Sequence, residues 1–166
     1  ASAPLEVRLD PRSEATRADL VAQQKALRGL WDAAVTAVRA IRRIDAVKPQ
    51  LSALRKRLGN LDELPEGLFD TVAAIAAQLD SIRAEFVRPE NSDEVGVRLL
   101  DKIRSLSGSI GRAAYPPKAA QAEWAATVMT DLGAAVSILD EVLRTRLSAL
   151  NRQMNEAGVP RVIGGR

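Results

Sequence analysis

From residue 17 onward apolar side chains recur at Leu20, Leu27, Trp31, Ala34, Val38 and Ile41, then at Leu51, Leu54, Leu58 and Leu61. The steps are mostly alternating threes and fours, which puts these residues on one stripe of a helix. At 1.5 Å per residue such a helix is about 60 Å long, too long for one short partner to cover its stripe. Thr16 followed by Asp19 predicts a capping box at its start, with the carboxylate in the positive first turn. Pro49 lacks an N–H and crowds the preceding turn, so a kink or a break is expected near Ala46–Lys48. The stripe resumes beyond it, which favours the kink. Gly59-Asn60 reads as the stop.

Three further helices follow from the same periodicity. The second, about 66–88, starts after Pro65, carries Leu68, Phe69, Val72, Ile75, Leu79, Ile82 and Phe86 on one face, and stops at Pro89. The third, about 93–114, is capped at Ser92 with Asp93 and Glu94 behind it. Its face is Val95, Leu99, Leu100, Ile103, Leu106 and Ile110, interspersed with Gly96, Gly108 and Gly111. Each mid-helix glycine costs up to about 1 kcal/mol against alanine, so these imply either a close helix–helix approach or a ligand-facing surface. After the turn Tyr115-Pro116-Pro117, the fourth helix runs from about 118 to 157. Its stripe is Trp124, Val128, Leu132, Ala135, Leu139, Val142, Leu143, Leu147, Leu150 and Met154, and Gly158 and Pro160 end it.

At the N-terminus Leu5–Leu9 alternates apolar and polar before Asp10-Pro11, a strand pattern with a breaker after it. An isolated strand cannot satisfy its backbone, so residues 1–12 read as an extended arm, the end of a preceding β domain. Residues 13–158 form the helical bundle and 159–166 a flexible tail. The expected fold is all-α: an elongated antiparallel four-helix bundle with two long helices (17–58, kinked near 49, and 118–157) and two shorter ones. Running up, down, up, down, the short pair completes the bundle at one end. Helices 1 and 4 then pair alone at the other end, near both termini. That unpaired half needs cover from a preceding domain or a second copy, which makes Leu20, Leu27, Trp31, Leu147, Leu150 and Met154 the candidate interface.

Composition narrows the chemistry. The hydrophobic fraction is 46%, yet only five residues are aromatic, and small aliphatic side chains suit closely packed helices. There is no cysteine, hence no disulfide framework or thiolate metal site, and no histidine, the commonest general base and zinc ligand. No apolar run approaches the roughly 18 residues that cross a membrane. The net charge of +3 is unevenly spread: residues 21–61 hold nine basic and two acidic groups, residues 62–94 two basic and nine acidic. The cluster Arg39, Arg42, Arg43, Lys48, Arg55, Lys56 and Arg57 allows a nucleic-acid or anionic-lipid patch. Neutralisation by the acidic second helix is the simpler reading, and no aromatics interleave the arginines to stack bases.

No catalytic site, metal site or cofactor site emerges. The carboxylates fall mostly off the apolar stripes, and Asp140 with Arg144 reads as ordinary i,i+4 support. A di-iron bundle needs a Glu-x-x-His pattern, which a chain without histidine cannot supply. Ser105, Ser107 and Ser109 have no histidine or lysine base beside them to activate them.

Several stretches carry a resemblance. Val7-Arg8-Leu9-Asp10-Pro11-Arg12 and the Thr16-x-x-Asp19-Leu20 helix start, Val38–Ile44 with Leu51-x-x-Leu54, Arg98-x-x-x-Lys102-x-x-x-Leu106-x-Gly108, and the ending Leu147–Pro160 together resemble the C-terminal helical region of bacterial sortilin-like BNR (Asp-box) repeat β-propeller proteins. These are often labelled glycosyl hydrolases. Around Arg88–Val97 the chain departs from the family's Asn-Tyr-Pro-like loop, and no catalytic residue carries over. The resemblance implies an exported parent, periplasmic or secreted, whose propeller holds any ligand or glycan site. The first functional reading is therefore a non-catalytic accessory module that docks on the preceding domains or forms a homodimer. The alternative is a bundle binding a small ligand or glycan between its helices, at the glycine-lined face of helix 3.

Overall fold

The computed structural model describes residues 14–59, 67–89, 96–113, 115–156, 158 and 162. All regular structure among them is helical. The elements are α1 (Arg17–Leu58), α2 (Leu68–Phe86), α3 (Leu99–Gly111), α4 (Ala119–Glu141), a π turn (Val142–Arg146) and α5 (Leu147–Glu156). The last three are continuous, so the chain forms four helical rods packed as a bundle. The arm 1–12, the cap at Ser92 and Pro65 lie outside the described residues.

α1 begins as its capping box predicts. Thr16 Oγ1 accepts from the Asp19 N–H at 3.2 Å, and the Asp19 carboxylate accepts from the Thr16 N–H at 2.9 Å. The Thr16 hydroxyl, then its backbone N–H, hold the Asp19 carboxyl below the ordinary aspartate range. Because the folded pKa is depressed, the box's contribution is complete above the ordinary aspartate value and is lost as pH falls through the folded one. Carboxyl NMR titration is expected to show Asp19 ionised below the ordinary range, with amide protection of the first turn fading in step. An ordinary titration would count against the box.

α1 does not break at Pro49. The proline is exposed and lies between the core positions Val47 and Leu51, so its ring takes no room from the interior. The carbonyl it deprives of a helical donor, that of Asp45, belongs to an exposed residue where water can replace the bond. Next to it, the Gln50 side chain donates to the Ala46 carbonyl at 2.8 Å.

The buried line of α1 is Leu30, Ala33, Ala37, Ala40, Ile44, Val47, Leu51, Leu54 and Leu58, alternating steps of three and four without exception. In the N-terminal half this corrects the expected stripe. Trp31 is 57% exposed and Val38 is exposed, while Leu20, Leu27, Ala34 and Ile41 are half-buried. The reason is continuity. Ile44 to Leu58 fix the core direction, and carrying their alternating steps of three and four back along the unbroken helix leads to Ala40, Ala37, Ala33 and Leu30. The three alanines then face the core where two other helices approach α1.

Cross-helix contacts set the arrangement. Lys48 pairs with Asp80, and Asp45 with Arg83 at 2.8 Å, so positions on α2 fall as those on α1 rise. Gln23 reaches the end of α3 at Ile110, whereas Val38 lies across a groove from Leu100, so α3 also runs back along α1. Along α4, Met129 lies at Gly29 and Asp140 pairs with Arg43 at 2.7 Å, so positions on α1 and α4 rise together. α3 touches α4 but not α5, whereas α2 also touches the π turn and α5. The short helices therefore follow one another along the long pair: α2 covers the C-terminal half of α1 and α3 the N-terminal half. This corrects the up-down-up-down arrangement with the short pair side by side. Side-by-side packing would leave Leu30, Ala33 and Ala37 in water, and end-to-end packing buries them. It also removes the expected unpaired half and puts Arg17 and Glu156 at opposite ends of the molecule.

The long second rod keeps its face through the π turn. Its buried positions are Val128, Leu132, Ala135, Leu139 and Val142, then Leu147, Leu150 and Met154. The step from Val142 to Leu147 is five residues, one more than an α-helix tolerates on a single face. The Leu147 N–H bonds the Val142 carbonyl, an i→i+5 bond that takes up the extra residue.

Element ends differ in detail from expectation. α2 opens at Leu68 behind Gly67, whose φ of +73° is left-handed and suits glycine. α3 opens at Leu99, so Gly96, Val97 and Arg98 precede it. Gly59 closes α1 in a right-handed conformation, whereas Gly158 beyond α5 has φ +69°. In the tail Val162 is buried, and it exchanges two hydrogen bonds of 2.7 and 2.8 Å with the Asn151 side chain. No close helix approach requires Gly108 or Gly111. A Cβ at Gly108 would meet only the Arg112 guanidinium, and one at Gly111 would make ordinary contact with Leu27. Among the described residues the core contains no buried polar or charged side chain.

Candidate functional site

The candidate site is an apolar groove between the N-terminal half of α1 and α3. Because Leu30 and Ala33 fix the core direction, the neighbouring positions Leu27, Trp31, Ala34 and Val38 line the flank of α1 that looks along α3. Leu100 and Ile103 form the facing wall, with Ser107 and Arg104 at its edge. The groove holds about 410 Å³. A second hollow, of about 760 Å³, lies over Val21, Gln24, Lys25, Leu27, Arg28 and Trp31, so Leu27 and Trp31 are common to both.

One hydrogen-bonding device fixes the end of this groove. The Gln23 side-chain amide donates to the carbonyl of Ile110 at 2.8 Å and also to that of Ala113. The Ile110 carbonyl, in the last turn of α3, also accepts from the Ala113 N–H at 3.3 Å, and Ala113 itself lies just past the helix end. Gln23 thus acts from α1 as a cap for another helix. Ser109 at the same end accepts from Gln121, whose own oxygen accepts from the Lys118 N–H at 2.9 Å and so caps α4. The walls of the groove are therefore tied together at one end.

The rim is cationic. The Arg28 guanidinium lies over the Trp31 ring, 5.1 Å from its centroid. Arg104 stands on the α3 edge, and Arg42 is one turn beyond Val38 on the same side of α1. Asp32 and Asp101 offer loose partners to Arg28 and Arg104, each at 3.7 Å between well-exposed groups, a geometry that contributes little. Arg42 makes no ion pair among the described residues.

The six expected interface residues separate. Leu147, Leu150 and Met154 are core residues of α5 with at most 2% exposure, so they cannot form a docking surface in this fold. They pack at the opposite end from Leu20, Leu27 and Trp31, and only Leu27 and Trp31 line the groove. Val38, Leu100 and Arg104 line it with them, and Arg42 stands one turn beyond Val38. The sequence could have pointed to Val38, one of the large apolar residues off the alternating line 30–33–37–40. The α3 residues had no such signal, because their proximity to α1 depends on end-to-end packing.

The basic cluster is partly neutralised within the bundle. Lys48 finds Asp80 of acidic α2, but Arg43 finds Asp140 of α4, and Arg55 lies over Phe69 at 5.0 Å. Asp140 therefore serves another helix and not Arg144, which approaches Glu141. The hollow at the α1–α2 seam, about 420 Å³, is lined by the two ion pairs Asp45–Arg83 and Lys48–Asp80, which satisfy each other. Among the described residues, no group of three or more acidic side chains is placed to hold a metal, and no helix is long and apolar enough to cross a membrane. What the groove can supply is apolar area, an indole and guanidinium groups. Neither the family models, nor the curated proteins, nor the solved structures compared with this chain match it.

Proposed function

We propose that this chain is a non-catalytic helical interaction module that docks another protein surface in the groove between α1 and α3. The observation that carries the reading is Trp31. It is a large aromatic side chain, 57% exposed, and it lines one groove with the exposed Val38. Exposed apolar groups gathered along one groove mark contact surfaces more often than solvated ones, and tryptophan and arginine are the side chains that dominate such contacts. The wider context is also a proposal: the C-terminal module of an exported β-propeller protein, docked on its preceding domains or on a second copy. It rests on the motif resemblance alone. A small ligand or glycan at the glycine face of α3 has less support, since neither Gly108 nor Gly111 lines the groove.

A photo-activated cross-linking residue placed at Trp31 in native cells tests the docking reading. A discrete protein adduct is expected from position 31 and not from the exposed Ser52 on the far half of α1. Equal labelling from both positions, or none from 31, would sink it.

A further inference from the structure

We infer that the occupant of the α1–α3 groove is an acidic amphipathic helix. The inference rests on the docking reading above and specifies the partner's chemistry. The groove is a trough between two helices. The stretch of α1 from Leu27 to Val38 is about 16 Å long, the length of about three turns of a third helix laid alongside. A helix seated there meets apolar walls at Trp31, Val38 and Leu100 and completes a local four-helix cross-section with α1, α3 and α4. Its anchors are apolar residues at i, i+3 or i+4, and i+7.

Charge selects among occupants. Arg104 lines the trough on α3, Arg28 lines the adjoining hollow that shares Leu27 and Trp31 with it, and Arg42 stands one turn beyond Val38 on α1. Asp32 and Asp101 meet Arg28 and Arg104 at 3.7 Å in exposed pairs that a better partner can replace, and Asp45, one turn from Arg42, is engaged by Arg83. A partner with Glu or Asp beside its apolar stripe offers carboxylates to the guanidinium groups of Arg28, Arg42 and Arg104 along the rim. A second copy of this chain, related by a two-fold axis through the groove, would bring a cationic rim against a cationic rim, a like-charge contact that disfavours it. Arginine also favours carboxylate because its planar fork takes two oxygens at once.

The test uses the full chain and two fluorescein-labelled helical peptides of about 14 residues, long enough for three turns and a frayed end. Both carry leucine at i, i+3, i+7 and i+10; one has Glu at the flanking positions and the other Lys. Fluorescence anisotropy is followed at low salt, with circular dichroism to check that each variant keeps its helix content. The Glu peptide is expected to bind at least about tenfold tighter than the Lys peptide. Trp31→Ala is expected to weaken it by a similar factor, and the double variant Arg42→Glu/Arg104→Glu to prefer the Lys peptide. Both positions are exposed, so these variants leave the core intact. Equal binding of the two peptides, lost together in Trp31→Ala, would overturn the acidic partner while leaving a docking groove. Failure of both peptides to bind would also overturn it, and the cross-link at position 31 then judges docking by itself. Self-association of the chain that Trp31→Ala abolishes would overturn it in favour of a second copy.

Discussion

Deleting the single residue Thr36 is expected to unfold this protein, whereas deleting Thr145 is expected to leave it folded. Both threonines are exposed, and each bonds back to a carbonyl four residues earlier, Thr36 to Asp32 and Thr145 to Glu141. Thr145 also bonds the Glu141 carboxylate at 2.6 Å, so by contacts alone its loss would cost more. The two differ in what they do to the buried line. Loss of Thr36 rotates everything after it by about 100° relative to what precedes, since each α-helical residue turns that far. Ile44, Val47, Leu51, Leu54 and Leu58 can then no longer face α2 while Leu30 and Ala33 face α3 and α4. Exposing a buried aliphatic side chain costs about 1.5–3 kcal/mol, and five of them match the whole stability of an ordinary domain, about 5–15 kcal/mol. Loss of Thr145 does the reverse. It shortens the step from Val142 to Leu147 to an ordinary four, so the π turn becomes a regular α turn and the alternation of threes and fours runs unbroken along the rod. Thermal melts followed by circular dichroism separate the cases. A Thr36 deletion that melts with the parent, or a Thr145 deletion that does not fold, would refute the assignment of register as the organising constraint.

Phe86→Ala is expected to destabilise the molecule by about 3–5 kcal/mol, the range for removing a fully buried aromatic from a core. Phe86 is wholly buried and is among the largest enclosed side chains. It is the last residue of α2, where that helix gives way to α3 as the cover of α1. No helical turn follows to close over the space it leaves, since Val87 is extended. Urea unfolding should show a lower midpoint at unchanged slope, the sign of lost stability without a more compact denatured state. The half-buried Phe69, under the Arg55 guanidinium, provides the comparison and should lose less. A Phe86→Ala cost below that of Phe69→Ala would show that the α2–α3 junction is not a packed part of the core.

The helices themselves were legible. Thr16 and Asp19 mark the start of α1 and Gly59 its end, and the buried residues of α2 and α3 all belong to the faces read from their periodicity. The candidate site was legible only in part. Trp31 and Leu27 stand among the residues that the apolar stripe of α1 offers as an interface, and both line the groove. Leu147, Leu150 and Met154 carry the same apolar spacing and form core.

The sequence by itself determined that this chain is helical, where the rods run, and that each has one apolar face, because those properties follow from the spacing of side chains along a single helix. Which of two adjacent apolar lines on α1 turns inward was decided by tertiary structure. The line with three alanines is buried because it alone continues without a break into Ile44–Leu58 and lets α3 and α4 come close. Whether the short helices lie side by side or end to end was also a tertiary decision. Helix lengths permit both, and burying the full stripe of α1 permits only the second. That choice leaves Trp31 beside α3 on an open groove, with three arginines along its rim.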